Sequence, residues 1–310
     1  VGSGGGNHLT LGGPTPAESV FLTRPDVLAS LLRFVQHHPS LSYLFTGLFV
    51  GPTSQAPRVD EARDEVLDEL ELALAQLDRG GEVPAPWFID RLLRNLLVDV
   101  TGNTHRTEIC IDKLFNPGSS TGRLGILELR AFEMPPHPRM TVASAWLMRA
   151  LVLTFVERPY DLPLVRHGRR LHDWFLLPTA LWEDLLDVLG HLSSRGIDAD
   201  PAWFAPFVAC RFPVIGRVAC GPVTLQIRPA LEPWPVLGEE PTGTTTSRYV
   251  DSSLERIEVT AEGLDPSRHV VTVNGWRLPM HRTRQDGVVA AGIRFRAWQP
   301  PHCLHPHLGI

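Results

Sequence analysis

The sequence predicts an α+β protein: a helix-rich first part over 1–200 built round a few strands, then a smaller, mainly-β, sandwich-like domain over 201–310 that breaks off at its C-terminus. Three observations predict it. Apolar residues recur at i, i+3, i+4 and i+7 in segments before residue 200. From Trp203 onward that period gives way to short β-rich runs. With 310 residues, 43% of them hydrophobic, the chain can fill one large core or two ordinary ones.

Asn7 to Leu11 alternates polar and apolar residues after a glycine run, as a strand leaving a Gly-rich loop does. Pro25 to Gln36 is expected to be a short helix, with His37 and His38 at its C-terminal end. From Pro57 to Leu77 the residues Val66, Leu67, Leu70, Ala73, Leu74 and Leu77 mark the apolar face of a helix that Gly80-Gly81 ends. Glu61, Asp64, Glu65, Asp68 and Glu69 form its acidic, solvated stripe. A further helix covers Trp87 to Leu97.

Strands over His105 to Leu114 and Leu124 to Phe132 flank the turn-rich Asn116 to Gly122 and should pair as a hairpin. Helices over Arg139 to Val156 and Pro178 to Ser193 follow. The β-rich runs are Phe207 to Phe212, Gly221 to Arg228, Arg256 to Ala261, His269 to Val273 and Val288 to Trp298. Asn274-Gly275 is the pair that a tight type I′ turn requires.

Charge narrows the classes of partner. Charged residues make up 20%, the net charge is -5 and the pI is about 6.2, so no basic surface is expected for nucleic acid. Charge or proline interrupts the apolar stretches before the roughly 20 residues that a membrane span needs, so none is expected. Cys110, Cys210, Cys220 and Cys303 lack CxxC spacing, which points to free thiols in a reducing, cytoplasmic compartment. Cys210 and Cys220 could face each other across a hairpin. His302, Cys303, His305 and His307 lie among prolines in an extended loop whose spacing matches no zinc pattern. The absence of an initiator Met and the abrupt last residues lead us to expect a piece of a longer protein.

In Ile126 to Phe132, the period of a strand puts Glu128 and Arg130 on one face and Leu127, Leu129 and Ala131 on the other. Arg106, Glu108 and Asp112 share a face of the preceding strand. Carboxylates that hold Mg²⁺ beside arginines that hold phosphate oxygens suit a metal-bound anionic substrate. The same residues also read as cross-strand ion pairs, and spacing leaves both readings open. The glycines of Gly2 to Gly6 let backbone N–H groups approach a phosphate, although neither a P-loop nor a GxGxxG context surrounds them.

Three segments, in order, resemble the catalytic half of glutamine synthetase-like enzymes. Gly2-Ser-Gly-Gly-Gly-Asn-His-Leu-Thr-Leu11 is similar to their Gly-Ser-Gly-x-His-x-His-x-Ser-Leu strand, Thr104 to Asp112 to their Asn-Arg-Ser-Ala-Ser-Ile-Arg strand, and Leu127 to Glu133 to their Ile-Glu-x-Arg-x-Pro-Asp strand. Leu41 to Glu61, Gly102-Asn-Thr-His-Arg106 and Tyr249-Val-Asp-Ser-Ser253 resemble a bacterial amidoligase family over essentially the whole chain. The resemblance implies an antiparallel sheet with packed helices, usually behind an N-terminal transglutaminase-like domain on the same chain.

It also implies an ATP-dependent carboxylate–amine ligase that works with Mg²⁺ or Mn²⁺ through an acyl-phosphate on peptide-like or amino-acid-like substrates. By position, Glu128 becomes a metal ligand, Arg130 and Arg106 contact nucleotide phosphate or acyl-phosphate, and His8, Gly4 and Gly5 line the nucleotide site. Gly6 and Ile111 stand where glutamine synthetases place a metal-binding His and a second Arg. Gln55 replaces their flap glutamate, leaving Asp60, Glu61 or Glu108 as bases for an amine other than ammonia. The metal-binding glutamates still missing would lie upstream, so this piece alone is expected to be inactive. The alternative is a non-catalytic binding or scaffold module that serves the transglutaminase-like domain.

Overall fold

The computed structural model describes residues 6–52, 54–61, 65–77, 83–242 and 245–298. Gly4, Gly5, Gly80-Gly81 and His302 to His307 lie outside these. By their contacts the described residues form two units. One holds those up to Arg169 together with Asp184–Phe207, and the other holds Arg170–Glu183 and those from Val208.

The first unit is mainly helical: α1 (Val20–Thr23), α2 (Pro25–His37), α3 (Ser40–Tyr43), α4 (Val66–Leu77), α5 (Pro86–Leu93) and α6 (Pro138–Glu157). Pro25 opens α2 where its missing N–H costs nothing. Val27, Leu28, Ala29 and Leu31 of that helix are wholly buried. Phe34 of α2 meets Phe155 of α6 at 5.3 Å between ring centroids. By length and composition α6 is apolar enough to cross a bilayer, which corrects the expectation that no stretch is. Its Leu147, Met148, Leu151 and Phe155 are buried, as in a core helix. At the end of α2, His37 and His38 are fixed sideways, His37 Nδ1 at 2.7 Å from the Tyr160 hydroxyl and His38 Nδ1 at 3.0 Å from Asp184.

The site rests on a small antiparallel sheet of β1 (Leu9–Leu11), β2 (Ile109–Cys110) and β3 (Leu127–Leu129), in the order β1-β3-β2. The register pairs Thr10 with Glu128 and Cys110 with Glu128. The expected hairpin pairing is present, but its strands are far shorter than the patterns suggested, because turns occupy both flanks. The expected helix over Pro57 to Leu77 is also shorter. Val59–Glu61 is a 3-10 turn and the α-helix begins at Val66. Arg58, Asp60 and Glu61 turn inward there, so Glu61 is 9% exposed and leaves the solvated stripe.

The second unit contains α7 (Arg170–Asp173), the first residues of α8 (Pro178–Ser194), most of α9 (Ala205–Arg211) and, among the described residues, nine strands. They are β4 (Gly216–Cys220), β5 (Val223–Ala230), β6 (Val236–Thr242), β7 (Thr245–Val250), β8 (Leu254–Glu262), β9 (Thr272–Val273), β10 (Trp276–Arg277), β11 (His281–Arg282) and β12 (Val288–Arg296). The main sheet is antiparallel with order β11-β12-β8-β5-β4. Glu258 of β8, 1% exposed, accepts from the Thr179 N–H at 3.0 Å and its hydroxyl at 2.8 Å. A carboxylate there satisfies a free N–H of the first turn of α8 and complements the helix dipole.

The turn between β9 and β10 has Asn274 at φ 49° and Gly275 at φ 83°, the conformation that the Asn-Gly pair predicts. Phe207 to Phe212, expected as a strand, is helical instead. Phe204, Phe207, Val208 and Phe212 are buried at i, i+3, i+4 and i+8, a period the aromatic content obscured. Cys210 on α9 and Cys220 at the end of β4 are exposed free thiols and do not face each other across a hairpin.

Candidate functional site

The site forms where β1 and the turns around β2 meet the polar face of β3. Leu127 and Leu129 point into the core, at 0% and 2% exposure, and the alternation of the strand directs Glu128 to the opposite face. That face is also covered, for Glu128 is 4% exposed and Arg130 9%. A charge so deeply buried must be paired. Glu128 Oε1 lies 2.8 Å from His8 Nδ1 and 3.1 Å from an Arg130 terminal nitrogen, and Oε2 accepts from Lys113 Nζ at 2.9 Å. These bonds, with that from His8 foremost, hold the carboxyl down to about 2. It stays ionised across the physiological range.

His8 reaches Glu128 because it shares a face with Thr10, which stands opposite Glu128 in the sheet. Gly6, the departure from the resembled histidine, is shaped by His8. A Cβ at Gly6 would come within 2.6 Å of His8 Nε2, so this edge accommodates one imidazole in its present position. Across the site, the Arg130 guanidinium donates to His105 Nε2 at 3.2 Å. Burial, then Arg130, lowers the His105 pKa. Asp112 accepts from Arg94 at 3.3 Å and from the Thr104 hydroxyl at 3.1 Å.

Among the described residues His105, Cys110 and Glu128 could hold a metal ion, their ligand atoms lying within 4.8 Å of one another. Arg130 bridges two of them and already supplies a cation there. Burial pushes the Cys110 thiol up to about 12, so the free thiol is neutral. Arg130 also retains an Nε donor that is buried and finds no partner. A buried donor without an acceptor is costly.

The structure thus brings His8, Glu128 and Arg130 together, and places Arg106, half-buried, in the turn before β2. Gly4 and Gly5 lie outside the described residues. Glu108 does not join Asp112. It accepts from the Ser42 hydroxyl and faces the Val59 N–H at 3.4 Å, in a second cluster around Arg58. Sequence reasoning missed Lys113 and His105, which turns rather than strand alternation carry to the site. It also missed Arg58, which reads as the start of a surface helix.

The Arg58 cluster is closed. Arg58 is 0% exposed and donates to both Asp60 oxygens, at 2.9 and 3.0 Å, to the Val35 and Gln36 carbonyls and to Ser42. Glu61 accepts from the Tyr43 hydroxyl and from the Arg58 N–H at 3.0 Å. Burial foremost pushes the Glu108 carboxyl up to about 7. The clusters are joined through backbone, the Arg130 N–H donating to the Glu108 carbonyl at 2.7 Å.

No curated protein and no solved structure matches the chain. One family model does, over residues 1–310, and it is described as "Putative amidoligase enzyme (DUF2126)". Since that match spans every residue from the Gly-rich start through the Glu128–Arg130 strand to the β-rich unit, the chain belongs to this amidoligase family.

Proposed function

We propose that the chain serves an ATP-dependent carboxylate–amine ligase, with the nucleotide phosphates received beside Glu128 and Arg130. The observation that carries this reading is the ionised, buried Glu128 ringed by His8, Lys113 and Arg130, with the Arg130 Nε donor still unused. A phosphoryl oxygen is the acceptor such a donor lacks, and the guanidinium fork matches it in shape. Arg106 and Arg130 hold the oxygens of phosphate or acyl-phosphate, and His8 orients Glu128 from the β1 side.

Mg²⁺ or Mn²⁺ carried with the nucleotide supplies charge neutralisation at the transferring phosphoryl group. Glu128 would supply one carboxylate ligand to such an ion. The Lys113 ammonium sits on Oε2, where such an ion would take its place, and its side chain is 42% exposed.

In this reaction class an oxygen of the acid attacks the γ-phosphorus and ADP leaves. The amine nitrogen then attacks the acyl carbon, phosphate departs with the electrons of the C–O bond, and the nitrogen gives up a proton. Asp60, Glu61 and Glu108 do not suit the role of base, because Arg58, Tyr43 and Ser42 engage them in the closed cluster. ADP release that requires acid and amine together is the expected result when the full-length protein that carries this chain is assayed with Mg²⁺. Amide formation without ATP overturns the proposal.

A further inference from the structure

A cleft wholly within the β-rich unit, unused by the ligase reading, has a volume of about 790 Å³. That is the size of a small-molecule site. Arg170, Arg256, Arg282 and Arg294 line it with Trp174 and His281. Arg256 is 6% exposed and Glu232 anchors it at 2.8 Å, with a second Glu232 oxygen 2.7 Å from Arg294. These two arginines share one carboxylate.

Arg170 and Arg282 are exposed and have no carboxylate partner among the described residues; Arg170 stands 5.6 Å over the Phe175 ring. Asp173 is the one acidic residue in the lining. The arginines therefore outnumber the carboxylates in and behind the lining. Trp174 and His281 meet edge to face at 5.7 Å and form an aromatic wall.

We infer that this cleft binds a small ligand carrying two or more negative charges, as phosphate or carboxylate groups, on a body that packs against Trp174. Guanidinium forks accept both anions in bidentate fashion, so either group meets the same contacts. In a chain of net charge -5, a local excess of arginine concentrates such an anion at this face. Asp173 faces the same space and disfavours a ligand that fills the cleft with charge throughout, which is consistent with anionic groups at one end.

The test is calorimetric titration of the chain at low salt with pyrophosphate in one arm and citrate in the other. One-site binding with Kd below about 1 mM is expected in at least one arm, and the arm that binds identifies phosphate or carboxylate as the recognised group. The double variant Arg170→Gln/Arg282→Gln should weaken it at least about ten-fold. Both residues are exposed and have no carboxylate partner among the described residues, so the variant should fold, which circular dichroism checks. Arg130→Gln, which removes the guanidinium that would hold an anion in the other unit, should leave this binding unchanged. No heat in either arm, or undiminished binding in the double variant, overturns the inference. Loss of binding in Arg130→Gln alone assigns the anion to the other site and equally overturns it.

Discussion

Two charged clusters lie on either side of one backbone hydrogen bond, and they are built with opposite balance. Around Glu128, one carboxylate is surrounded by His8, Lys113 and Arg130. Around Arg58, one guanidinium is shared by Asp60 directly and by Glu61 and Glu108 through the backbone, Tyr43 and Ser42. The first keeps an unused buried donor, on Arg130 Nε. The second saturates its arginine with backbone and side-chain acceptors. On the proposed reading the cation-rich cluster with its spare donor receives an anion, whereas the acid-rich, closed one is a structural joint that holds Pro57 to Glu61 against α2 and α3.

The comparison is broken most severely by Arg58→Met. Removing the cation leaves buried carboxylates unmatched, and we expect a loss of about 3–5 kcal/mol, read as a lower urea midpoint. Next is Arg130→Gln, which should weaken nucleotide binding by roughly ten- to a hundred-fold, the worth of about 1.5–3 kcal/mol for charge-assisted bonds, with little change in the urea midpoint beyond the lost Glu128 contact.

The acids then separate the clusters by the sign of their pH dependence. Glu108 is raised from 4.5 to about 7, so its contribution to stability is present below 4.5 and declines as pH rises toward 7. Glu128 is lowered from 4.5 to about 2, so its contribution is present above 4.5 and is lost as pH falls toward 2. Comparing the midpoints of Glu108→Gln and Glu128→Gln with the parent from pH 3 to 7.5 should reveal these opposite slopes. Slopes of the same sign contradict the assignment. Smallest is Lys113→Gln: its side chain is 42% exposed, so stability should move by less than about 1 kcal/mol.

How much of this was legible in the sequence depended on whether local period or long-range pairing decided the structure. Val66 to Leu77 announced its buried face because one helix face meets the core, and Glu128–Arg130 announced a polar face by the same logic in a strand. Asn274-Gly275 was legible because few residue pairs tolerate both positive φ values. Arg58 was not, since a fully buried arginine is defined by partners at residues 35, 36 and 42 that no local pattern reveals. The split of Glu108 from Asp112 was equally hidden, because the pattern implied a long strand where only Ile109–Cys110 pairs. In the β-rich unit, the arginines of the cleft come from α7, β8, β11 and β12, four segments that only the fold assembles.

The most direct test of the central claim is calorimetric titration of Mg²⁺-ATP into the parent chain and into Arg130→Gln and Arg58→Lys, each first checked for a folded far-ultraviolet spectrum. The account predicts binding in the parent, at least about ten-fold weaker binding in Arg130→Gln, and near-parent affinity in Arg58→Lys wherever that variant folds. Equal affinity in the parent and Arg130→Gln contradicts the claim that the Glu128–Arg130 face receives the nucleotide.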